Sequence, residues 1–182
     1  CFVLYAPAGG GVVALNGSGR SAQGASAASL RDQGVSEIAD TNAHAMTVPG
    51  AVDAWCRLHG DYGTLPLEQL LAPAITLAEN GSIITPRVAY DWQSCHEKLS
   101  DSASARGVFL NDGEPFKAGD RFANPALGKT LGRIAKEGRS AFYEGEVAEE
   151  IVGLLNNLGG THTLDDFANQ TSDYVDPIST TY

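Results

Sequence analysis

Positive charge is scarce in this chain. Twelve Lys and Arg stand against 22 Asp and Glu in 182 residues, a formal charge of -10. The electrostatic attraction that carries binding to a phosphate backbone therefore has the wrong sign, and nucleic acid is not an expected partner. Long apolar runs are missing as well. No stretch approaches the ~20 residues of a membrane-spanning helix, and the chain does not open on the basic-then-apolar pattern of an export signal. Cysteine is sparse: Cys1, Cys56 and Cys95 form no close pair, and their odd number argues against a disulfide framework. His44, His59, His96 and His162 lack the two-ligand spacing of a zinc site. No Lys followed by Ser or Thr comes after Gly9, Gly10 and Gly11, so this triplet reads as a hairpin loop rather than a phosphate cradle. No metal or cofactor is expected.

What is present is apolar content enough for a sizeable core, 43% of residues. Residue 1 is Cys rather than Met, and residues 1–5 already read as a strand. Ile178, Thr180 and Tyr182 alternate as in a closing strand and then stop. Both ends thus read as cut through folded elements, and residues 1–182 are expected to form a single incomplete domain of something larger.

Residues 1–5 and 11–15 are β-prone runs that predict a hairpin. Residues 16–29 are dominated by Gly and Ser and predict a loop, with Arg20 its one charge. Val52, Trp55, Cys56 and His59 predict the face of a helix ended by Gly60 and Gly63. Leu67, Leu70 and Leu71 predict a second, broken by Pro73 and restarted through Ile75, Leu77 and Ala78. Thr85 before Pro86 is a cap-and-first-turn signal, and Val88, Trp92, Cys95 and Leu99 form one helical stripe. Asn111, Asp112 and Gly113 predict a turn, and Asn124 with Pro125 starts a helix running to Gly138. Val147, Ile151, Leu154, Leu155 and Leu158 predict the buried face of the next helix. Thr163 with Asp166 resembles a capping box over Leu164 and Phe167. The order is α+β, a hairpin, five or six helices and a closing strand, rather than alternating βαβ units.

Few residues carry chemistry by type and spacing. The histidines read as surface or helix-edge residues, and the pairs Glu149 with Glu150 and Asp165 with Asp166 as solvated charge at helix starts. Cys1 could act as an N-terminal nucleophile with its own α-amine as base, or it is simply a strand residue. Arg20 could aim a guanidinium at a carboxylate from its small-residue loop, or it is solvated.

Several strings, in order, resemble the γ-glutamyltransferase family, also called γ-glutamyl transpeptidase or glutathione hydrolase. They are Val48-Pro49-Gly50, Tyr62-Gly63-Thr64-Leu65-Pro66, Leu70-Leu71-Ala72-Pro73-Ala74-Ile75 and Leu77-Ala78-Glu79-Asn80-Gly81. Ala135-Lys136-Glu137-Gly138, Ala141-Phe142-Tyr143-Glu144-Gly145, Gly159-Gly160, Leu164-Asp165-Asp166-Phe167 and Pro177-Ile178-Ser179 follow. The resemblance covers essentially the whole chain and implies the helix-rich large-subunit portion of an N-terminal nucleophile hydrolase, a partial αββα sandwich made as a self-cleaving precursor. It implies hydrolysis or transfer of γ-glutamyl groups of glutathione-type amides by a small-subunit Thr that is absent from this chain, so no catalytic residue is expected here. Thr41 with His44 and Thr161 with His162 imitate that Thr motif but match scaffold positions.

The family's large subunit clamps the substrate α-carboxylate with an Arg two residues after an Asp. Here Asn16 and Ser18 stand at those places, and Arg20 in Gly17-Ser18-Gly19-Arg20 resembles a divergent, acylase-like branch. The resemblance therefore implies Arg20 and Ser18 as substrate-binding residues, a small-molecule γ-glutamyl substrate, and the missing small-subunit portion as partner. Acylase chemistry on another amide, such as a cephalosporin-type side chain, is the nearest relative. A Cys1 amidohydrolase and a non-catalytic binding domain on the same scaffold remain alternatives. Bacterial members' usual place is periplasmic or extracellular; a cytoplasmic location stays open.

Overall fold

The computed structural model describes residues 1–181. Strands β1 (Phe2–Tyr5) and β2 (Val13–Asn16) are followed by helices α1 (Ala27–Asp32), α2 (Ala51–Tyr62) and α3 (Leu67–Asn80). Then come β3 (Ser82–Ile83), α4 (Pro86–Ser94), α5 (His96–Ser100), α6 (Ala103–Phe109), β4 (Leu110–Asn111), β5 (Glu114–Pro115) and β6 (Arg121–Phe122). The chain continues with α7 (Pro125–Glu137), α8 (Ser140–Tyr143), α9 (Glu146–Asn157), α10 (Leu164–Ala168) and β7 (Asp173–Val175). The expected α+β class holds. Among the described residues no helix is long and apolar enough to cross a membrane.

The chain folds into two compact units, one made of Cys1–Leu67 with Lys136–Tyr182 and the other of Glu68–Ala135. In the second, Trp92, Phe109, Phe116 and Phe122 form an aromatic cluster, with Trp92 4.9 Å from Phe122 and 5.2 Å from Phe116 between ring centroids. The expected turn closes a hairpin in which Leu110 pairs with Pro115, and Asp112 and Gly113 both take positive φ (51° and 87°), as the tight hairpin turn requires. Asn124 caps α7 by accepting from the Leu127 amide at 3.0 Å. Helix α3 runs through Pro73 rather than breaking there: an interior proline removes one backbone bond and crowds the preceding turn, which can bend a helix without ending it. The stripe from Val88 to Leu99 is two helices, not one. The Cys95 amide turns to both Asp91 O and Trp92 O, a tightening that ends α4. Helix α6 was not foreseen, since its Ala, Ser and Gly carry no apolar period.

In the first unit the sheet order is β1-β2-β7, all antiparallel, with Leu15 opposite both Val3 and Tyr174. Alternation puts Leu15 and Tyr174 on one face, and Phe2, Leu4, Ala14 and Val175 on the other. Leu15, on the face toward α2, is 2% exposed, whereas Phe2 and Leu4 are 80% and 73% exposed. One side of this sheet is packed and the other is open and apolar. The closing strand lies at Asp173–Val175, short of Ile178, because Pro177 has no amide with which to extend the ladder; Tyr182 lies outside the described residues.

Two helices bury different residues than periodicity suggests. In α9 the buried line is Ala148, Val152 and Leu155, while Leu154 and Leu158 are exposed. The apolar arc is wide, and α8 and α10 cover only the flank where Ala148 permits close approach. In α2, Asp53 is buried between Val52 and Ala54 and Trp55 is exposed. The capping box forms in full, but of its two apolar residues Phe167 is buried and Leu164 is exposed.

The two sheet faces give a direct contrast. Leu15→Ala is expected to cost about 2–5 kcal/mol in urea unfolding, as buried Leu truncations do. Leu4→Ser with Phe2→Ser should leave stability within about 0.5 kcal/mol yet reduce apolar-dye binding and self-association of the 182-residue chain, read by light scattering. A monodisperse monomer that binds no dye before any substitution contradicts this picture of the open face.

Candidate functional site

The loop leaving β2 crosses the chain that enters α2, and the crossing explains its glycines. A Cβ at Gly19 would lie 1.7 Å from Val48 O, and one at Gly50 would lie 2.3 Å from Gly17 O, so only bare backbone fits on both sides. The Val48 amide donates to Arg20 O at 2.9 Å across this contact. The Ser18 amide donates to Asn16 Oδ1 at 2.9 Å, which turns the chain out of the strand. Ser18 and Arg20 both stand exposed. Arg20 Nη2 lies 3.0 Å from Asp173 Oδ2, with the two side chains 61% and 59% exposed. Asp173 pairs with Asn16, which pairs with Phe2 on its other side, so the Asp173 side chain belongs to the open face. The structure thus brings the two residues singled out in the sequence together on one loop, and adds Asp173, which no spacing indicated.

Behind the loop lies a buried ionic centre. Arg139 Nε donates to Asp53 Oδ1 at 2.7 Å, and the Ser172 amide and hydroxyl both donate to Asp53 Oδ2 at 2.6 Å. Burial by itself would raise the Asp53 pKa, but the bonds from Ser172 and Arg139 outweigh it and hold the carboxyl below its ordinary value. Arg139 Nη2 also donates to Ala168 O at 2.8 Å and to Gln170 O at 2.6 Å. Its guanidinium lies 4.7 Å over the Tyr143 ring. The Tyr143 hydroxyl donates to Pro49 O at 2.6 Å and accepts from the Asp53 amide at 3.1 Å. Burial pushes this phenol up to about 12, so it stays a neutral donor.

The segment from α10 to β7 then reaches the loop itself. Asp166 accepts from the Gln23 amide at 3.0 Å with one oxygen and from the Thr163 amide and hydroxyl, both at 2.8 Å, with the other. Burial opposes its ionisation, but these bonds prevail and its pKa is lowered. The Gln170 side chain meets the backbone of both Arg20 and Ser18. Asp166 is therefore buried and fully engaged rather than a solvated helix-start charge. His162 is buried too, not at the surface: its Nε2 lies 2.9 Å from Met46 O, and Nδ1 has no protein partner. The Thr161 and His162 pair cannot present a free imidazole beside its hydroxyl.

Cys1 extends the β1 and β2 ladder, its amine donating to Gly17 O at 2.9 Å and its carbonyl accepting from the Gly17 amide at 2.8 Å. This is the strand-residue reading, and the Cys1 nucleophile is not favoured. Among the described residues no three His, Cys, Asp or Glu come together as metal ligands. Asp53 and Gln170 were missed by sequence reasoning. The one available signal was an acid in a helix's first turn, which the helix dipole explains equally well.

All residues of the chain, 1–182, match the family model described as Gamma-glutamyltranspeptidase. The Glutathione hydrolase-like YwrD proenzyme of Bacillus subtilis (strain 168) is 33% identical over 171 residues, which is 94% of this chain and 32% of that relative. The chain therefore spans about a third of the length of that curated protein. The crystal structure of Helicobacter pylori gamma-glutamyltranspeptidase superposes with a TM-score of 0.92 at 30% identity, covering 100% of this chain and 53% of that one. The cephalosporin acylase from Bacillus halodurans gives a TM-score of 0.90 at 30% identity, covering 100% of this chain and 35% of that one.

The buried centre sets an expectation for acid. A native carboxyl below its unfolded value of 3.8 binds fewer protons than the unfolded chain, so stability is full above that value and falls as pH drops through the native one. Asp166 adds the same sign. Asp53→Ala is expected to cost about 3–5 kcal/mol at neutral pH, since it strands Arg139 and Ser172. Urea unfolding between about pH 6 and pH 2.5 should show a shallower loss in Asp53→Asn than in the parent. An equal slope would mean that Asp53 is not ionised in the native state.

Proposed function

The chain belongs to the gamma-glutamyltranspeptidase family, and from that premise we propose that the protein carrying it hydrolyses or transfers γ-glutamyl groups of glutathione-type amides. In this reading residues 1–182 form one incomplete domain, the large-subunit portion, and the small-subunit portion lies against the open apolar face of the sheet and brings the Thr nucleophile. The observation that carries the reading is Arg20, an exposed guanidinium on a braced loop beside that face.

The roles divide accordingly. The small-subunit Thr hydroxyl attacks the γ-amide carbonyl with its own α-amine taking the proton. The amine product leaves with a proton, and water or an acceptor amine then releases the acyl group. This chain's part is binding and orientation. Arg20 uses one Nη2 hydrogen on Asp173, and the second Nη2 hydrogen still forms a two-point edge with a neighbouring guanidinium N–H for the substrate α-carboxylate. Such a planar fork fixes both distance and direction. In the same reading Ser18, exposed on this loop, adds a polar contact through its hydroxyl.

One observation favours a second reading. Asp173 already balances the Arg20 charge, so the loop is close to neutral and would also suit an uncharged acyl group, as in an amide acylase. The Arg20 variants separate the two. In the processed enzyme, Arg20→Ala should raise KM for a γ-glutamyl anilide, a loss of about 2–4 kcal/mol in kcat/KM, and Arg20→Lys should recover part of it because an ammonium lacks the fork. Unchanged kinetics in both variants would decide for the uncharged acyl group. The 182-residue chain alone is expected to give no turnover of the anilide above blank. Turnover abolished by Cys1→Ala would overturn the assignment of the nucleophile to the small-subunit portion.

A further inference from the structure

We propose that Gln170 is a positioning residue for substrate recognition: its side-chain amide locks the backbone on either side of Gly19, so that Arg20 presents its guanidinium in one direction. The proposal rests on the reading of Arg20 as the carboxylate clamp and names the residue that makes the clamp rigid.

Gln170 is 1% exposed, and both ends of its amide are used. Its Oε1 accepts from the Arg20 amide at 3.2 Å, and its Nε2 donates to Ser18 O at 3.4 Å and to Thr171 O at 3.2 Å. One planar group therefore bridges an N–H and a C=O that flank a glycine. That glycine is the natural hinge of the loop, because Val48 O leaves no room for any other residue there and glycine alone gives the backbone little preference. Closing the hinge requires a partner for the groups on both sides of it, and the Gln170 amide supplies an acceptor and a donor at once.

The clamp is itself anchored. Gln170 O accepts from Arg139 Nη2 at 2.6 Å, and Arg139 is held by Asp53. On the far side of the loop the Val48 amide donates to Arg20 O at 2.9 Å. The main chain of Arg20 is thus pinned at both its N–H and its C=O, while its side chain remains 61% exposed. A merely solvated arginine has no need of such bracing. Recognition does, because a fixed backbone removes most of the ordering cost that a mobile loop pays on binding. The pair with Asp173 is too weak to do this alone, since both side chains are exposed and water screens them.

The test compares Gln170→Met, which keeps size but removes both bonds, with Gln170→Asn, which keeps the amide on a shorter side chain and serves as the conservative rescue. In the 182-residue chain, hydrogen exchange of amides 18–20 should quicken by about tenfold or more in Gln170→Met, with α2 unchanged. In the processed enzyme, KM for a γ-glutamyl anilide should rise about tenfold or more while kcat stays within about threefold, with Gln170→Asn between parent and Gln170→Met. The α-carboxamide analogue of the same donor should show no such rise, which separates positioning from a general loss of stability. Unchanged exchange at amides 18–20 overturns the proposal, as does a KM rise equal for both donors. If Arg20→Ala raises KM and neither Gln170 variant does, the proposal fails and the Arg20 reading stands. If Arg20→Ala leaves KM unchanged, the Arg20 reading fails and takes the proposal with it.

Discussion

A carboxylate cannot be taken out of water without partners, and the burial of Asp53 organises the first unit around that constraint. Its two oxygens are satisfied by Arg139 and by the amide and hydroxyl of Ser172. Removing any of these would leave charge or a polar group unpaired, at a cost of several kcal/mol. Because the partners come from distant stretches of sequence, meeting them fixes the fold: α2 supplies Asp53, the start of α8 supplies Arg139, and the entry to β7 supplies Ser172. Tyr143 closes the arrangement with its hydroxyl between Pro49 O and the Asp53 amide. The same guanidinium that neutralises Asp53 also takes Gln170 O and Ala168 O, so the buried charge and the placement of the α10 to β7 segment are one problem with one solution.

That segment carries the consequence outward. Asp166, Gln170 and Asp173 each bond to the loop after β2, at Gln23, at Arg20 and Ser18, and at the Arg20 guanidinium. A loop rich in glycine and serine would otherwise be costly to order. Here it is tied to a packed core through the buried side chains of Asp166 and Gln170. The sheet separates support from recognition: Leu15 packs toward α2, while Phe2, Leu4 and Val175 stay exposed on the face shared with Asp173. The family reading gives that open face an occupant and puts the loop at the join.

Local signals in the sequence translated well into structure. Thr85 and Asn124 cap α4 and α7, Thr163 and Asp166 form a complete capping box, and Asp112 with Gly113 turns a hairpin. Each of these depends on a few adjacent residues. The faces of helices were less legible, because α9 carries apolar residues over a wide arc and the neighbours choose which flank to cover. Asp53 and Gln170 were illegible for a stronger reason. Asp53 meets Arg139 and Ser172, and Gln170 meets Arg20 and Ser18, across 86 to 152 residues, and nothing in the local pattern distinguishes a paired buried acid from a solvated one. Arg20 stood out as the one charge in a small-residue loop, Ser18 only through resemblance to a family, and Asp173 beside them was not found at all.

In the proposed function, the braced loop after β2 receives a carboxylate on Arg20. A structure of the complete enzyme with a γ-glutamyl ligand tests it most directly. The account predicts the ligand α-carboxylate within about 3 Å of two guanidinium nitrogens of Arg20, with the Gln170 amide still on the backbone of Ser18 and Arg20. A carboxylate bound elsewhere, with Arg20 engaged only by Asp173, would contradict it.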